Sequence, residues 1–299
     1  MPSNLAIVIP YYKFDFFKEN LDSLANQTNK NFTVYIGNDA SPNDPEELLV
    51  TYQNKLNIVY KKFTDNLGSK SLVEQWNRCL DLVQDENWIM ILGDDDILSE
   101  NVVATFYSDV EANSNTNVFR FATQVIDEKS NQTSSVFTHP KQENGFEFLE
   151  RKLKGETRSS LSEYIFSKAE LFKFGIKDLP LAWYSDMLLV IELGIKKPII
   201  SINESIVFFR NSGINITSKK DNLVKKNEAT FAFYFYLIRN YKNVIATSFL
   251  DVLYFKLEKT ILDNKKNVKF WIKTLHLYIT NGKFSHFVSL FFKAIKSVL

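Results

Sequence analysis

An apolar run that ends in three consecutive carboxylates is the feature that most restricts how this chain can fold. Residues 88–92 read Trp-Ile-Met-Ile-Leu, and Gly93 separates them from Asp94, Asp95 and Asp96. A short apolar run is typical of a buried strand. Adjacent acids raise one another's pKa values unless a cation joins them, and Mg²⁺ or Mn²⁺ binds carboxylates together with a substrate's phosphates. The pattern indicates a strand end that binds a divalent cation and a nucleotide diphosphate.

A structural interpretation of the triplet is also open. The three aspartates could form an acidic turn that caps a helix starting near Glu100. Other metal sites have less support, because the single cysteine, Cys79, excludes an internal disulfide and a cysteine-based zinc site. The three histidines are widely separated, so a histidine-rich metal site is not expected either.

The first half of the chain alternates short apolar strands with amphipathic helices. We predict strands at 5–9, stopped by Pro10, and at 33–36, 57–63 and 88–92, helices at 16–25 and 69–83, and a helix start at 43–47. This alternation predicts an α/β fold with a mostly parallel central sheet flanked by helices. Ligands bind outside the carboxyl ends of such strands, so Asp39 and the triplet could share one cleft.

Charge is distributed unevenly along a chain whose composition is that of a globular protein. The 299 residues are 45% hydrophobic and 24% charged, with a net charge of +1. Residues 222–299 contain 13 Lys+Arg and 4 Asp+Glu, against 23 and 31 before them. The acidic part has no basic stripe with interleaved aromatics, so nucleic acid is not an expected partner. We predict a nucleotide-sugar-binding and catalytic domain at 1–221, its acceptor part from about 97, and a basic helical extension at 222–299.

Several motifs in this order resemble family 2 glycosyltransferases, which have the GT-A fold. Residues 5–12 (LAIVIPYY), 21–28 (LDSLANQT) and 38–44 (NDASPND) are similar to the family's opening segments, and 66–68 and 76–78 match its asparagine-glycine loop and its helix asparagine. The resemblance covers roughly residues 4 to 215. It implies an inverting, metal-dependent transferase that moves a sugar from a nucleotide-diphosphate sugar, a UDP-sugar by preference, to an acceptor hydroxyl in surface polysaccharide or glycolipid synthesis.

The resemblance also implies site residues. It places nucleotide-sugar contacts at Pro10, Tyr11, Tyr12, Asp39, Asn66, Asn77, Asp94 and Arg210, and Mn²⁺ or Mg²⁺ contacts at Asp95 and Asp96. Asp39 would meet the base, or it is a plain turn residue. Gly93 stands where many members have the first aspartate of the metal motif. Residues 208–217 resemble the family's arginine-containing loop after its last strand, in which Arg210 would pair with the diphosphate, or it forms a surface salt bridge.

A second acidic position, Asp186, matches the place where family members carry a catalytic base. An acceptor hydroxyl becomes a useful nucleophile as its proton leaves, and a carboxylate within hydrogen-bond reach can accept that proton. Ser185 replaces the glutamate often found before this acid. Alternatively, Ser185 or Asp186 is a helix N-cap for the apolar helix 187–193, with Gly194 as its C-cap signal. Trp183 and Tyr184 would then be core residues, and otherwise a platform for a sugar ring.

The basic tail has its own pattern. Residues 227–241 are aromatic and helix-like, and a second stripe at helical spacing comprises Phe284, Phe287, Val288, Phe291, Phe292, Ile295, Val298 and Leu299. Lys283, Lys293 and Lys296 lie off this stripe, and from Asn264 onward there are 7 lysines and no acids. This pattern fits a helix on an anionic membrane surface, or a helix packed on the catalytic domain or another subunit.

The expected partners are therefore a nucleotide-sugar donor and a glycan or lipid-linked acceptor, with a membrane surface as a further candidate. The apolar run 5–9 is too short for a signal peptide or a membrane span, so we expect a cytoplasmic protein, peripheral at the inner face of the membrane if the tail binds lipid. A non-catalytic nucleotide-sugar or glycan-binding protein is the alternative, because Gly93 and Ser185 depart from the family pattern.

Overall fold

The computed structural model describes residues 4–113, 115–213 and 222–296. It divides into a first unit, Met1–Asp178 with Ser185–Lys219, and a second unit, Leu179–Tyr184 with Lys220–Leu299. The predicted loop residues 214–217, the predicted boundary at 221, and Val298 and Leu299 lie outside the described residues.

The first unit contains the sheet, and along its described residues the strands are interspersed with seven helices. The strands are β1 Leu5–Tyr11, β2 Phe32–Asn38, β3 Ile58–Lys62, β4 Trp88–Ile91, β5 Ile97–Leu98, β6 Val118–Ile126, β7 Gln142–Glu143, β8 Tyr164–Ser167 and β9 Ile199–Arg210. The helices are α1 Phe17–Ala25, α2 Glu46–Val50, α3 Leu72–Leu80, α4 Val102–Ala112, α5 Gly145–Lys154, α6 Lys168–Phe174 and α7 Ser185–Lys196. A 3-10 turn, Leu161–Glu163, precedes β8. The predicted α/β class is confirmed.

The sheet is mixed. Its strand order is β3-β2-β1-β4-β8-β6-β9-β5, with β7 beside β9. Strands β3, β2, β1 and β4 pair in parallel, whereas β8 is antiparallel to both β4 and β6. The predicted parallel pairing holds for β3, β2, β1 and β4 and again for the β6–β9 pair, whereas β5, β7 and β8 pair in the antiparallel sense. The chain returns to β4 after a long excursion through α4, β6 and α5, and such non-local pairing leaves no mark in local periodicity.

Strand β1 continues through Pro10, so the prediction that this proline stops the strand is wrong. Pro10 pairs in register with Gly37 of β2, and Tyr11 pairs with Asn38. The carbonyl of Val8 accepts a hydrogen bond from the Leu92 amide at 2.9 Å. Residues two apart on a strand direct their backbone groups to the same side, so the nitrogen of Pro10, like that of Val8, faces β4. The pairing of β1 with β4 ends at Val8 and Ile91, so no β4 residue lies opposite Pro10. A proline without a ladder partner to lose is tolerated there.

Helix α7 runs past Gly194, so the predicted C-cap at this glycine is wrong as well. Gly194 instead lies against α5. A Cβ on it would come within 3.0 Å of the Gly145 Cα, and a Cβ on Gly145 would come within 2.2 Å of the Ile191 carbonyl oxygen. Both glycines are needed because the two backbones approach more closely than side chains allow.

We expect Gly145→Val to lower the free energy of unfolding by about 1–3 kcal/mol, the usual cost of overpacking a tight contact. Chemical denaturation measures this change. Lys154→Val, on an exposed position of the same helix, introduces the same side chain without a backbone neighbour and should stay within about 0.5 kcal/mol of wild type. Equal effects of the two substitutions would contradict the close glycine contact.

The second unit is helical. It contains α8 Leu223–Tyr241, α9 Thr247–Asp263, α10 Val268–Thr280, α11 Phe284–Lys296 and the 3-10 turn Pro180–Ala182. Aromatic contacts hold it together: Phe231 stacks on Phe270 with ring centroids 4.0 Å apart, and Tyr254 meets Tyr278 edge-on at 5.3 Å. Among the described residues, no helix combines the length and apolar character needed to cross a membrane.

Candidate active site

A cavity of about 280 Å³ lies at the carboxyl ends of β1 and β4, where the fold class places ligand sites. It is lined by the complete triplet together with Pro10, whereas Asp39, expected from the sequence to share a cleft with the triplet, does not line it. Its walls are formed by Pro10, Lys13, Leu72, Trp76, Ile91, Leu92, Gly93, Asp94, Asp95, Asp96, Ser160, Leu161, Ser162 and Phe209. Three acids and a lysine therefore line one opening at the end of a buried strand.

Asp94 fixes the chain that leaves β1. Its Oδ2 accepts hydrogen bonds from the backbone amides of Tyr12 at 2.8 Å and Lys13 at 2.7 Å. Burial, together with the charge of Asp95, raises the pKa of Asp94 to about 6, and the two amides partly oppose that rise. Two residues predicted to contact the nucleotide sugar, Tyr12 and Asp94, therefore lie together, and the backbone amide of Tyr12 bonds the Asp94 carboxylate.

Asp96 is buried and holds two other segments. Its Oδ1 accepts a hydrogen bond from the Arg210 amide at 2.9 Å, and its Oδ2 accepts one from the Ser162 hydroxyl. Ser162 Oγ also accepts a bond from the Gly93 amide at 3.0 Å. Burial and the charge of Asp95 raise the pKa of Asp96 to about 7. Both oxygens of Asp96 are therefore committed to the protein itself.

Asp95 differs from its neighbours because it is only partly buried. Within the described part of the chain, its carboxylate accepts a hydrogen bond only from its own amide. Burial raises its pKa, while Lys13 and Arg210 oppose the rise. All three acids line the cavity, but Asp95 is the one with neither carboxylate oxygen hydrogen-bonded to another described residue.

The triplet does not by itself form a preassembled metal cage. Across residues 4–113, 115–213 and 222–296, no group of three or more histidine, cysteine, aspartate or glutamate side chains is arranged to hold a metal ion. The donor chemistry still fits a hard cation, since Mg²⁺ is commonly held by one or two carboxylates plus substrate phosphates. Asp95 meets that description, and Asp96 does so only if it releases Ser162 or Arg210.

Asp39 is buried at the end of β2 and organises the loop that follows β3. Its Oδ1 accepts a hydrogen bond from the Leu67 amide at 2.8 Å, and its Oδ2 accepts one from the Gly68 amide at 2.9 Å. Asn66 closes the same loop by accepting a bond from the Ser69 amide at 2.8 Å. A Cβ on Gly68 would come within 2.6 Å of Asp39 Oδ2, so glycine permits this approach. Asp39 and Asn66 are brought together, in loop-forming roles.

Arg78 is the residue of this region that the sequence analysis missed. Its guanidinium forms an ion pair with Asp39, donates to Asp65 Oδ1 at 3.0 Å and lies 4.0 Å above the Phe63 ring. Asn77 points elsewhere and lines a separate cavity of about 230 Å³ with Asp81 and Ile176. Neighbouring helix positions are about 100° apart, so the motif Trp76-Asn77-Arg78 could not tell which side chain faces Asp39.

Tyr11 and Arg210 are both buried. The Tyr11 hydroxyl donates to the Asn43 carbonyl at 2.6 Å, and its backbone carbonyl accepts the Asp39 amide at 3.0 Å. The Arg210 guanidinium donates to the Asp95 carbonyl at 2.9 Å and pairs with Glu19 at 2.7 Å. It is fully buried, so it is not the surface salt bridge considered above, and it does not line the cavity. It supports the triplet from behind.

Asp186 lies in the first turn of α7, directly after a strained segment. Leu181, Ala182 and Tyr184 have φ values of 62°, 53° and 71°, in a region that residues other than glycine rarely adopt. Such strain concentrates at functional sites. Burial and the charge of Glu163 raise the pKa of Asp186 to about 6, while Lys152 opposes this. Asp186 does not line the cavity, but its electrostatic neighbour Glu163 directly follows two residues that do.

Trp183 and Tyr184 belong to the second unit. The Tyr184 ring stacks on Phe233 with centroids 4.6 Å apart, and the Lys226 ammonium lies 4.9 Å from the centre of the Trp183 ring. Tyr184 is therefore a packed residue. Trp183 remains partly exposed.

The sequence matches a family model described as glycosyl transferase family 2 over residues 6–168, more than half of the chain. The chain belongs to glycosyltransferase family 2. A comparison with curated proteins finds no match.

Solved structures of S. aureus TarS have the same fold. TarS 1–349 in complex with UDP-GlcNAc is 14% identical, with a TM-score of 0.67, over 97% of this chain and 81% of that one. TarS 1–349 with UDP is 13% identical, with a TM-score of 0.58. It covers 96% of this chain and 90% of that one. A longer TarS structure is 14% identical, with a TM-score of 0.64. There, 87% of this chain corresponds to 43% of the other. The likeness confirms the predicted GT-A architecture.

We expect Arg210→Leu to lower the free energy of unfolding by about 2–4 kcal/mol, because a fully buried guanidinium that bonds the Asp95 and Asp127 carbonyls and pairs with Glu19 is lost at once. Urea denaturation measures the loss. The control is Lys18→Leu, which removes the exposed Lys18–Asp22 pair and should cost less than about 1 kcal/mol. A loss for Arg210→Leu as small as that of the control would contradict the buried supporting role.

Proposed function

We propose that this protein is an inverting glycosyltransferase that transfers a sugar from a nucleotide-diphosphate sugar to an acceptor hydroxyl. The observation that supports the proposal is how the three aspartates are bonded. Asp94 and Asp96 accept hydrogen bonds from the backbone of the surrounding chain, and Asp95, which also lines the cavity, accepts none from another described residue. Family membership supports a transferase rather than a glycosidase, which needs two carboxylates flanking the scissile bond.

The proposed donor is a UDP-sugar. TarS, which shares the fold, has been solved with UDP-GlcNAc and with UDP. In this chain, Pro10, the backbone at Tyr11 and Tyr12, and the loop held by Asp39 and Asn66 would border the nucleotide. Asn77 is the weakest of the proposed contacts, since it lines a separate cavity. Arg210 would act on the diphosphate through the triplet that it supports, not by direct contact.

A divalent cation, Mn²⁺ or Mg²⁺, would be held by Asp95, with Asp96 as a second ligand if it changes partner. When bound, the cation neutralises the charge that grows on the departing diphosphate. Lys13 lines the same cavity and lies close enough to lower the pKa of Asp95, so it supplies positive charge at the same place. Burial raises the pKa values of all three acids, and the charge of Asp95 adds to the rise at Asp94 and Asp96; a bound cation would relieve this cost of holding the carboxylates ionised.

Asp186 is the proposed catalytic base. It would take the proton of the acceptor hydroxyl as that oxygen attacks the anomeric carbon, while the bond to the diphosphate breaks and the nucleoside diphosphate leaves. One displacement inverts the anomeric centre and needs no protein nucleophile. A carboxylate with a pKa of about 6 is ionised at neutral pH and is still basic enough to accept a proton.

The proposed acceptor is a glycan or a lipid-linked sugar in surface polysaccharide or glycolipid synthesis. A lipid-linked acceptor would agree with a peripheral position at the inner face of a membrane. The second candidate is a non-catalytic nucleotide-sugar or glycan-binding protein, which the departures from the family pattern at Gly93 and Ser185 favour. Formation of a glycosylated product distinguishes the two.

We expect UDP with Mn²⁺ to raise the melting temperature of the wild-type protein by about 5 °C at a hundredfold excess over Kd, because the ligand binds only the native state. Asp95→Asn should lose most of this shift, whereas Asp85→Asn, an exposed control, should keep it. A full shift in Asp95→Asn would contradict the assignment of Asp95, and no shift with any nucleotide would contradict donor binding.

We expect the turnover of the wild-type enzyme to rise with pH through about 6, because Asp186 must lose its proton before it can act as a base. Asp186→Asn should lower kcat by about 10² to 10⁴-fold and leave the UDP-induced melting shift unchanged. Initial-rate profiles from pH 5 to 8 measure both effects. Wild-type turnover in Asp186→Asn would show that the base is another group.

A further inference from the structure

Helices α10 and α11 carry large apolar side chains on faces that the rest of the protein leaves exposed. On α10, Val268, Ile272 and Ile279 are 65%, 63% and 55% exposed. On α11, Phe284, Phe291, Phe292 and Ile295 are 54%, 48%, 58% and 42% exposed. We refer to these seven side chains as the C-terminal surface.

These exposed faces are distinct from the faces that pack the second unit. On α10, Phe270, Leu277 and Tyr278 are buried, and on α11, Leu290 and Ala294 are buried. Each helix therefore already has a packed side.

The exposed residues recur at helical spacing. Residues 268, 272 and 279 share one side of α10, and residues 284, 291 and 295 share one side of α11. Because each helix already buries one apolar face, packing of the core does not explain the second one. Exposed apolar faces of this kind are typical of interaction sites.

Lysines accompany the C-terminal surface, and acids are absent from this stretch of the sequence. Residues 264–299 contain no aspartate or glutamate, and their lysines are Lys265, Lys266, Lys269, Lys273, Lys283, Lys293 and Lys296. Lys283 approaches Asp251 of α9 at 3.7 Å. Lys269 and Lys273 lie on α10 beside the apolar stripe, about 100° to 140° around the helix from Val268.

The charge decides which partner fits. A second copy of this chain, docked face to face, would bring lysines against lysines, which disfavours self-association. An anionic bilayer offers both complements, because its headgroups attract lysine and its acyl boundary accepts Phe, Ile and Val side chains. Neither helix is long and apolar enough to cross a bilayer.

We propose that the C-terminal surface binds an anionic lipid bilayer, with α10 and α11 lying in the interface. The apolar side chains enter the boundary between headgroups and acyl chains, and the lysines contact lipid phosphates. The buried residues of α11, Leu290 and Ala294, lie outside the predicted tail stripe, whereas the stripe members Phe284, Phe291, Phe292 and Ile295 are exposed, as lipid contact requires. The proposal goes beyond the transferase chemistry and does not depend on it.

Co-sedimentation of the whole chain with vesicles tests the proposal. Vesicles of zwitterionic phosphatidylcholine are compared with vesicles that contain 30 mol% phosphatidylglycerol. We expect at least about tenfold stronger binding to the anionic vesicles, and a steep loss of binding with added salt. Equal binding to both kinds of vesicle, or to neither, would overturn the proposal.

Two pairs of variants assign the binding to this surface. Ile272→Ser with Phe292→Ser removes exposed apolar area, and Lys269→Gln with Lys273→Gln removes charge. Each pair should weaken binding to anionic vesicles by roughly tenfold or more.

The matched controls are Phe255→Ser, at a side chain of α9 that is 63% exposed, and Lys225→Gln with Lys259→Gln. The controls should bind like wild type. Wild-type binding in both test pairs would contradict the assignment.

A concentration-dependent dimer in sedimentation velocity that disappears in the Ile272→Ser, Phe292→Ser variant would identify a second copy as the occupant instead. Nucleotide-induced melting shifts, measured on every variant, report the fold and the donor site separately.

Discussion

The burial of Asp96 is the constraint on which the arrangement of this site depends. A carboxylate out of water must be hydrogen-bonded, and Asp96 meets that need with the Arg210 amide and the Ser162 hydroxyl. These partners come from the end of β9 and from the 3-10 turn before β8. One buried acid thus ties the end of β4 to two distant segments of the first unit and fixes the position of Asp95.

The three acids divide the work by burial, although the sequence presents them as equals. Asp94 positions the backbone after β1, Asp96 joins β9 and the 3-10 turn, and Asp95 faces the cavity. Gly93 belongs to the same arrangement: a Cβ on it would come within 3.0 Å of Asp96 Oδ2. A glycine where many family members carry an aspartate is therefore compatible with a tightly held loop, and it does not by itself imply a degenerate site.

Local sequence signals predicted the α/β class, the first four strands and the place of the triplet, since these follow from apolar periodicity and turn residues. Local signals failed where the decisive contact is distant in sequence. Pro10 was read as a strand end although its missing amide faces no partner, and Gly194 as a helix end although it contacts Gly145. Arg210 was expected at a phosphate or at the surface. Its burial against the Asp95 carbonyl depends on which strands pair, and local sequence does not reveal that. The sequence also could not show which apolar residues of α10 and α11 are exposed, because that depends on which face of each helix packs against its neighbours.

The central claim is that Asp95, the acid with neither carboxylate oxygen hydrogen-bonded to another described residue, is the main protein ligand of a donor-bound cation. The most direct test is the anomalous density of Mn²⁺ in crystals of the protein with UDP. The account predicts manganese bound to the Asp95 carboxylate at about 2.2 Å, with the bonds from Tyr12 and Lys13 to Asp94 kept. Manganese bound away from Asp95, or held by Asp94 in place of those amides, would contradict it.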